Sequence, residues 1–310
     1  MKIFKIKTNS TLDITNINLA IGNFDGVHIG HQKIIKKLVQ ESKEMKIKSA
    51  ILCFSPHPRQ YFTKNFDDFS IIDEKTKISL IDHLNVDYYI ILQFDSLLSS
   101  LSAKEFIKDI LFKKLKISNL TVGYDFKFGK NRQGNIDLLN ELSSKYNYTI
   151  SIFKQVLHPI TSEIYSSSIV RQNIKEGKFE TVSSLLGRNW AMQGTVVLGD
   201  QRAGKINFPT ANILPGNLIK PKKGVYAIRA KFIDKYYNGI ANFGERPTFD
   251  GKKLLLEAHL FDFNQDIYGK ELTVEFLTFI RDEKKFDNFT LLTEQIKKDI
   301  QQAKTIHSEK

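Results

Sequence analysis

A chain of 310 residues, 41% hydrophobic and 11% aromatic, carries enough apolar material for real cores, and its length favours two domains over one. A single cysteine, Cys53, excludes an internal disulfide, and no run approaches the roughly 20 apolar residues a membrane span needs. The formal net charge of +12 admits nucleic acid or a polyanionic small ligand, but the lysines are scattered, mix with glutamates in stretches such as 33–48 and 284–304, and form no arginine-rich tract.

Met1 to Thr8 alternates lysine with apolar residues and reads as a strand without an apolar signal core. Leu19, Ala20 and Ile21 read as the end of a buried strand. Gly22-Asn-Phe24-Asp25-Gly26 then turns into a helix that starts near His28 and places Ile34, Ile35 and Leu38 on its apolar positions. A strand, a glycine turn and a helix N-terminus make an anion site, because unpaired N–H groups and the positive end of the helix dipole converge there. His28 and His31 stand one turn apart, face that spot, and can donate hydrogen bonds to phosphate oxygens. Zinc would need a third ligand nearby, and a metalloprotease helix would read His-Glu-x-x-His.

Lys48–Phe54 reads as the next strand, with Cys53 a small buried hydrophobe, and Ser55-Pro-His-Pro58 stops regular structure. A helical pattern near 73–84 and an apolar strand over 86–94 follow. Ser102-Ala-Lys-Glu105 is a capping box that opens a helix burying Phe106, Ile107, Ile110 and Leu111. Ser118–Val122 is a further strand. Strands alternating with helices predict a parallel α/β sheet whose ligands bind beyond the C-terminal strand ends. The glycine-, aromatic- and lysine-rich run Gly123–Asn135 sits at one such end and reads as a ligand-contacting loop. Ser166, Ser167 and Ser168, with Arg171 on the same turn, suit either a helix N-cap or a phosphate clamp. A helix from Ser168 to about Leu186 ends at Gly187, where a domain boundary falls.

Beyond Trp190, strands recur at 192–198, 225–232, 237–242, 254–261 and 272–280 with turns between them, which predicts an antiparallel Greek-key barrel. A final helix, about 289–303, should bury Leu292, Ile296 and Ile300 and close one end. Gly199–Lys205 is a glycine-flanked basic loop before the rigid Pro209-Thr210-Ala211-Asn212. Glu257 alternates with apolar residues and should share a sheet face with Leu255 and His259.

These strings carry a resemblance. His28-Ile-Gly-His31 matches the His-x-Gly-His signature of nucleotidylyltransferases and class I aminoacyl-tRNA synthetases, and Gly22–Gln32 resembles one branch, the bacterial bifunctional riboflavin kinase/FMN adenylyltransferases (FAD synthetases). Ser-Ser-Ser-x-x-Arg over 166–171, Pro209-Thr-Ala-Asn212 and Glu257-x-His-x-Phe-Asp-Phe263 follow in that family's order, and the Lys-Met-Ser-Lys-Ser string of the synthetases is absent.

The resemblance implies an α/β plus all-β chain. A Rossmann-like adenylyltransferase domain with a parallel sheet would span 1–186, and a Greek-key barrel kinase domain with a terminal helix 187–310. It implies ATP-dependent phosphorylation of riboflavin to FMN and adenylylation of FMN to FAD with release of pyrophosphate. His28 and His31 become catalytic in the second step and Glu257 the base of the first. Gly22, Phe24, Asp25, Gly26, Ser167, Ser168 and Arg171 fall on nucleotide phosphates. Gly199, Gly204 and Lys205 form a flap over them, with Thr210 and Asn212 holding Mg²⁺ and ATP. Asp125, Phe126 and Phe128, and Arg246, Pro247 and Thr248, border the flavin. Asn135, Ala203, Lys205 and Asn207 depart from the family pattern. The partners implied are small flavins and nucleotides in the cytoplasm, with neither nucleic acid nor membrane. The alternatives are another His-x-Gly-His nucleotidylyltransferase, which would lack a kinase barrel, and a non-catalytic RNA-binding protein.

Overall fold

The computed structural model describes residues 1–157, 164–197, 210–248 and 251–309. The chain resolves into two compact units, Met1–Phe66 with Ile72–Ser167, and Asp67–Ile71 with Ser168–Lys310.

The first unit is built on six strands: β1 (Lys2–Ile6), β2 (Ile17–Ile21), β3 (Lys48–Ser55), β4 (Tyr88–Gln93), β5 (Ile117–Gly123) and β6 (Thr149–Phe153). All pair in parallel, in the order β1-β4-β3-β2-β5-β6. The helices are α1 (Ile29–Glu44), α2 (Pro58–Thr63), α3 (Glu74–Asp82), α4 (Ser96–Ser100), α5 (Ala103–Glu105) and α6 (Ile136–Tyr146). From β2 the chain moves to β3 and β4 on one side and returns to β5 on the other. The order therefore reverses between β2 and β5, and the crevice at their C-terminal ends is the switch point where open α/β sheets bind ligands. The His28 turn leaves β2 and the Gly123 loop leaves β5, so both predicted loops flank that crevice.

β2 is buried along its whole length, as a central parallel strand must be. Its one polar residue, Asn18, is fully enclosed yet satisfied: its Oδ1 accepts from Asn119 Nδ2 at 2.8 Å and Thr121 Oγ1 at 3.3 Å, and its Nδ2 donates to Leu38 O at 3.4 Å. These bonds pin β2 to β5, because a one-residue slip would strand all three groups.

The structure departs from the sequence expectations locally. Pro58 does not stop structure but opens α2, whose first turn needs no N–H from it. The Ser102 capping box forms, and Phe106, Ile107, Ile110 and Leu111 are buried, but the helix continues over Phe106–Lys114 in a wider π winding. β6, reached through α6, extends the sheet beyond the strands that periodicity predicts.

In the second unit the expected single helix over 168–186 is two, α7 (Ser167–Glu176) and α8 (Phe179–Leu186). Gly177 divides them at φ +75°, a backbone state that glycine adopts without strain. The strands are β7 (Trp190–Val197), β8 (Ala211–Ile213), β9 (Gly224–Phe232), β10 (Lys235–Thr248), β11 (Gly251–Leu260) and β12 (Glu271–Arg281). They close an antiparallel barrel in the order β10-β11-β8-β7-β12-β9. The meander β9-β10-β11, with β12 returning beside β9, is the Greek key that the sequence predicts. Phe179 of α8 packs against Trp190 of β7 and Phe276 of β12, with Tyr226 of β9 beside them, and all four rings are buried. This aromatic group fastens α8 to the barrel wall.

The helix α9 (Phe289–Ser308) lies against β9, β10 and β12. Its buried positions are Asp299 and Ala303, whereas Leu292, Ile296 and Ile300 are only half-buried, a correction to the expected apolar stripe. The reason is an ion pair. Asp299 is 3% exposed and accepts from Arg281 Nε at 2.9 Å and Nη2 at 2.7 Å, and from Gln295 Nε2 at 2.8 Å. Removing one partner of such a pair leaves an uncompensated charge. Asp299→Ala is therefore expected to cost about 3–5 kcal/mol, read as a lowered midpoint in chemical denaturation. An unchanged midpoint would show that the pair contributes nothing.

Candidate functional site

The turn after β2 is held in an unusual backbone. Phe24, Gly26 and Val27 have φ of 47°, 82° and 41°, and Val27 N–H donates to Phe24 O at 3.1 Å. His28 is the N-cap of α1: its Nδ1 accepts from His31 N–H at 3.3 Å. That bond assigns the proton of the neutral ring to Nε2, which makes Nε2 the donor. The two imidazoles stack, with centroids 3.6 Å apart and planes at 19°. His28 is buried and His31 half-buried. A Cβ at Gly30 would lie 2.9 Å from Tyr165 Cβ and 3.1 Å from His28 Nδ1, so the glycine between the histidines makes room for the ring. Phe24 meets His31 edge-on at 5.1 Å, and Gln32 Nε2 ties α1 to Val27 O at 2.9 Å. Asp25 is buried, and its carbonyl accepts from Ser167 Oγ at 2.8 Å.

A buried polar group lies near this turn. Tyr89 OH donates to Glu74 Oε1 at 2.6 Å, and Lys77 Nζ to Glu74 Oε2 at 3.1 Å. Burial works against the Lys77 charge, but Cys53, Glu74 and Asp25 together hold its pKa above the usual lysine value. Burial pushes the Cys53 thiol up to about 11, so this cysteine is unreactive at neutral pH.

The loop after β5 folds on itself: Phe128 and Gly134 exchange backbone hydrogen bonds at 3.2 and 2.8 Å. A Cβ at Gly134 would meet the Phe128 ring at 2.7 Å. Phe128 belongs to the core and stacks on half-buried Phe126 at 5.4 Å, whereas Asp125 is exposed. Asn135 caps α6, its Oδ1 accepting from Leu138 N–H at 3.0 Å, a task that asparagine and aspartate perform alike.

The structure adds residues that the sequence reading passed over. Phe54 at the end of β3, Tyr61 and Phe62 of α2, and Phe94 just past β4 form an aromatic group. Phe94 touches Phe54 at 5.8 Å, Tyr61 at 5.2 Å and Phe62 at 5.8 Å, and Phe62 is exposed. An open aromatic surface at strand ends suits a planar ring system.

Within the second unit, Arg171 donates from Nε to Phe69 O at 2.8 Å, and its guanidinium lies 4.0 Å from the Phe69 ring centroid. Ser168 is exposed at the start of α7.

In the barrel, β8 is only three residues long, yet it sets Asn212 directly opposite Glu257 of β11, which in turn faces Asn242 of β10. Paired residues share a face, so these three side chains form a row across adjacent strands. Leu256, Ala258 and Leu260 are buried, while Leu255, Glu257 and His259 alternate with them on the other face, as the sequence predicts. Asn212 is buried and Thr210 half-buried just before β8. Arg246, Pro247 and Thr248 lie on β10, paired with β11. Their side chains, and Gly199, Ala203, Gly204, Lys205 and Asn207, lie outside the described residues.

Among the described residues no helix is long and apolar enough to cross a membrane. A family model described as FAD synthetase matches residues 11–168, and one described as riboflavin kinase matches 186–307. A "Bifunctional riboflavin kinase/FMN adenylyltransferase" from Haemophilus influenzae is 35% identical, covering 98% of each chain. The relative of the same name from Bacillus subtilis is 35% identical over 92% of this chain and 90% of its own. A solved chain titled "Crystal Structure of Macrolide-efflux Protein from Streptococcus pneumoniae" shares the fold at TM-score 0.85 and 27% identity, covering 96% of this chain and 97% of that one.

Proposed function

The chain belongs to the bifunctional riboflavin kinase/FMN adenylyltransferase family, and from that premise we propose how its residues divide two reactions. It phosphorylates riboflavin to FMN and adenylylates FMN to FAD. The observation that carries this reading is the succession of the two family matches along one chain. We put the functional boundary at 186/187, where α8 ends and Gly187 caps it.

In the kinase step the riboflavin 5′-hydroxyl oxygen bonds to the γ-phosphorus of ATP as the bond to the β-phosphate oxygen breaks, releasing ADP. Glu257 accepts the hydroxyl proton. Thr210 and Asn212 offer oxygen donors that suit a hard cation, and they would hold Mg²⁺, which neutralises phosphate charge when bound. Arg246, Pro247 and Thr248 border the flavin, and Gly199, Gly204 and Lys205 cover the phosphates.

In the adenylylation step a phosphate oxygen of FMN bonds to the α-phosphorus of ATP and pyrophosphate leaves. His28 and His31 hold the phosphate charge in the transition state. Gly22, Phe24, Asp25 and Gly26 shape the nucleotide turn, and Ser167, Ser168 and Arg171 hold the leaving phosphates. Phe54, Tyr61, Phe62 and Phe94, with Asp125 and Phe126, supply a surface for the isoalloxazine, braced by Phe128. The ATP requirement fits a cytoplasmic setting.

Incubation with riboflavin and Mg-ATP, followed by chromatography, is expected to show FMN, then FAD, with ADP and pyrophosphate as co-products. Unchanged riboflavin would overturn the reading, and salt-sensitive RNA binding without turnover would favour an RNA-binding role.

A further inference from the structure

Lys77 stands near the start of α3, where the cap fixes the backbone: the Asp73 side chain accepts from Thr76 N–H at 2.7 Å. A lysine three residues after a glutamate ordinarily pairs with it at the surface, for little gain. Here the Glu74 side chain is 41% exposed and that of Lys77 only 11%, so the lysine is the buried member. Its Nζ donates to Glu74 Oε2 at 3.1 Å, and Tyr89 OH of β4 donates to the other oxygen at 2.6 Å. The turn after β2 is tied to the neighbouring strand β3, with Gly22 N–H donating to Leu52 O at 3.1 Å and the Cys53 thiol to Asn23 O at 3.9 Å. Asp25 in that turn is buried, and its charge acts on Lys77. Cys53 stays a neutral thiol at pH 7, so Glu74 and Asp25 are the charges that offset the cost of burying this ammonium. All of these residues belong to the first unit.

We propose that Lys77 is a positioning residue for adenylylation, its buried ammonium balancing the Asp25 carboxylate so that the turn before His28 accepts the triphosphate of ATP. The inference rests on the nucleotide role proposed for residues 22–26. A carboxylate in a turn that receives an anionic triphosphate repels it unless a cation stands behind it. Water screens the half-exposed Glu74, so the buried Asp25 depends on Lys77 more than Glu74 does.

The test measures both reactions in the full chain for Lys77→Met, Lys77→Arg, Glu74→Gln, Asp25→Asn, the Asp25→Asn/Lys77→Met double variant and His28→Ala. Lys77→Met, which keeps the buried stem, is expected to raise the ATP KM of adenylylation about tenfold. Its kcat in either reaction should stay within about twofold of wild type, because the repulsion acts on bound ATP and transition state alike. Lys77→Arg restores the KM. Glu74→Gln breaks the same ion pair but leaves the ammonium to Asp25, so its KM stays normal. The double variant is expected to match Asp25→Asn alone, because the lysine then has no carboxylate in the turn to balance. Should Lys77→Met fold poorly, Glu74→Gln and the double variant still decide. A normal ATP KM in Lys77→Met, a raised one in Glu74→Gln, or a double variant worse than Asp25→Asn would each overturn the positioning role. Normal adenylylation in His28→Ala would instead overturn the nucleotide role of the turn, and the inference with it.

Discussion

Glu257→Gln is expected to lower riboflavin phosphorylation by about 10²–10⁴-fold, the range for loss of a general base, while FMN-to-FAD conversion continues at the wild-type rate. Glutamine keeps the size of the side chain and its place on β11 opposite Asn212 and Asn242, so the barrel should fold unchanged. It cannot take the proton of the attacking hydroxyl. The loss should therefore fall on kcat and leave the ATP KM near its original value, because the proton moves only as the transition state forms. Separate assays starting from riboflavin and from FMN read the two steps independently. A fully active variant would remove Glu257 from the base role.

The fold is most legible where periodicity and caps agree. β2, α1 and the Ser102 capping box all follow the residues that specify them. The alternation along β11 places Glu257 on the less buried face, as its apolar neighbours require. What the sequence hides is short or non-local. β8 has three residues, too few for any periodic signal, yet its pairing alone sets Asn212 beside Glu257. Pro58 reads as a breaker because the same ring that ends a helix also begins one. The Phe54, Tyr61, Phe62 and Phe94 group is drawn from two strand ends and a helix, so no local window contains it. Asp299 occupies the buried face of α9 because Arg281, 18 positions away, makes a carboxylate stable there.

His28→Ala is expected to slow adenylylation by about 10²–10³-fold, the range for removing one charge-stabilising donor, and to spare the kinase. Alanine also deletes the cap of α1, which costs about 0.5–2 kcal/mol, so slow turnover alone would not separate chemistry from a frayed helix. His28→Asn makes that separation. Its Oδ1 can replace Nδ1 as the acceptor for His31 N–H, but it has no donor at the position of Nε2. Stability should return with asparagine while the adenylylation rate does not. Recovery of both would make His28 a cap and nothing more. Loss of both activities in either variant would refute the assignment of the two reactions to separate sets of residues.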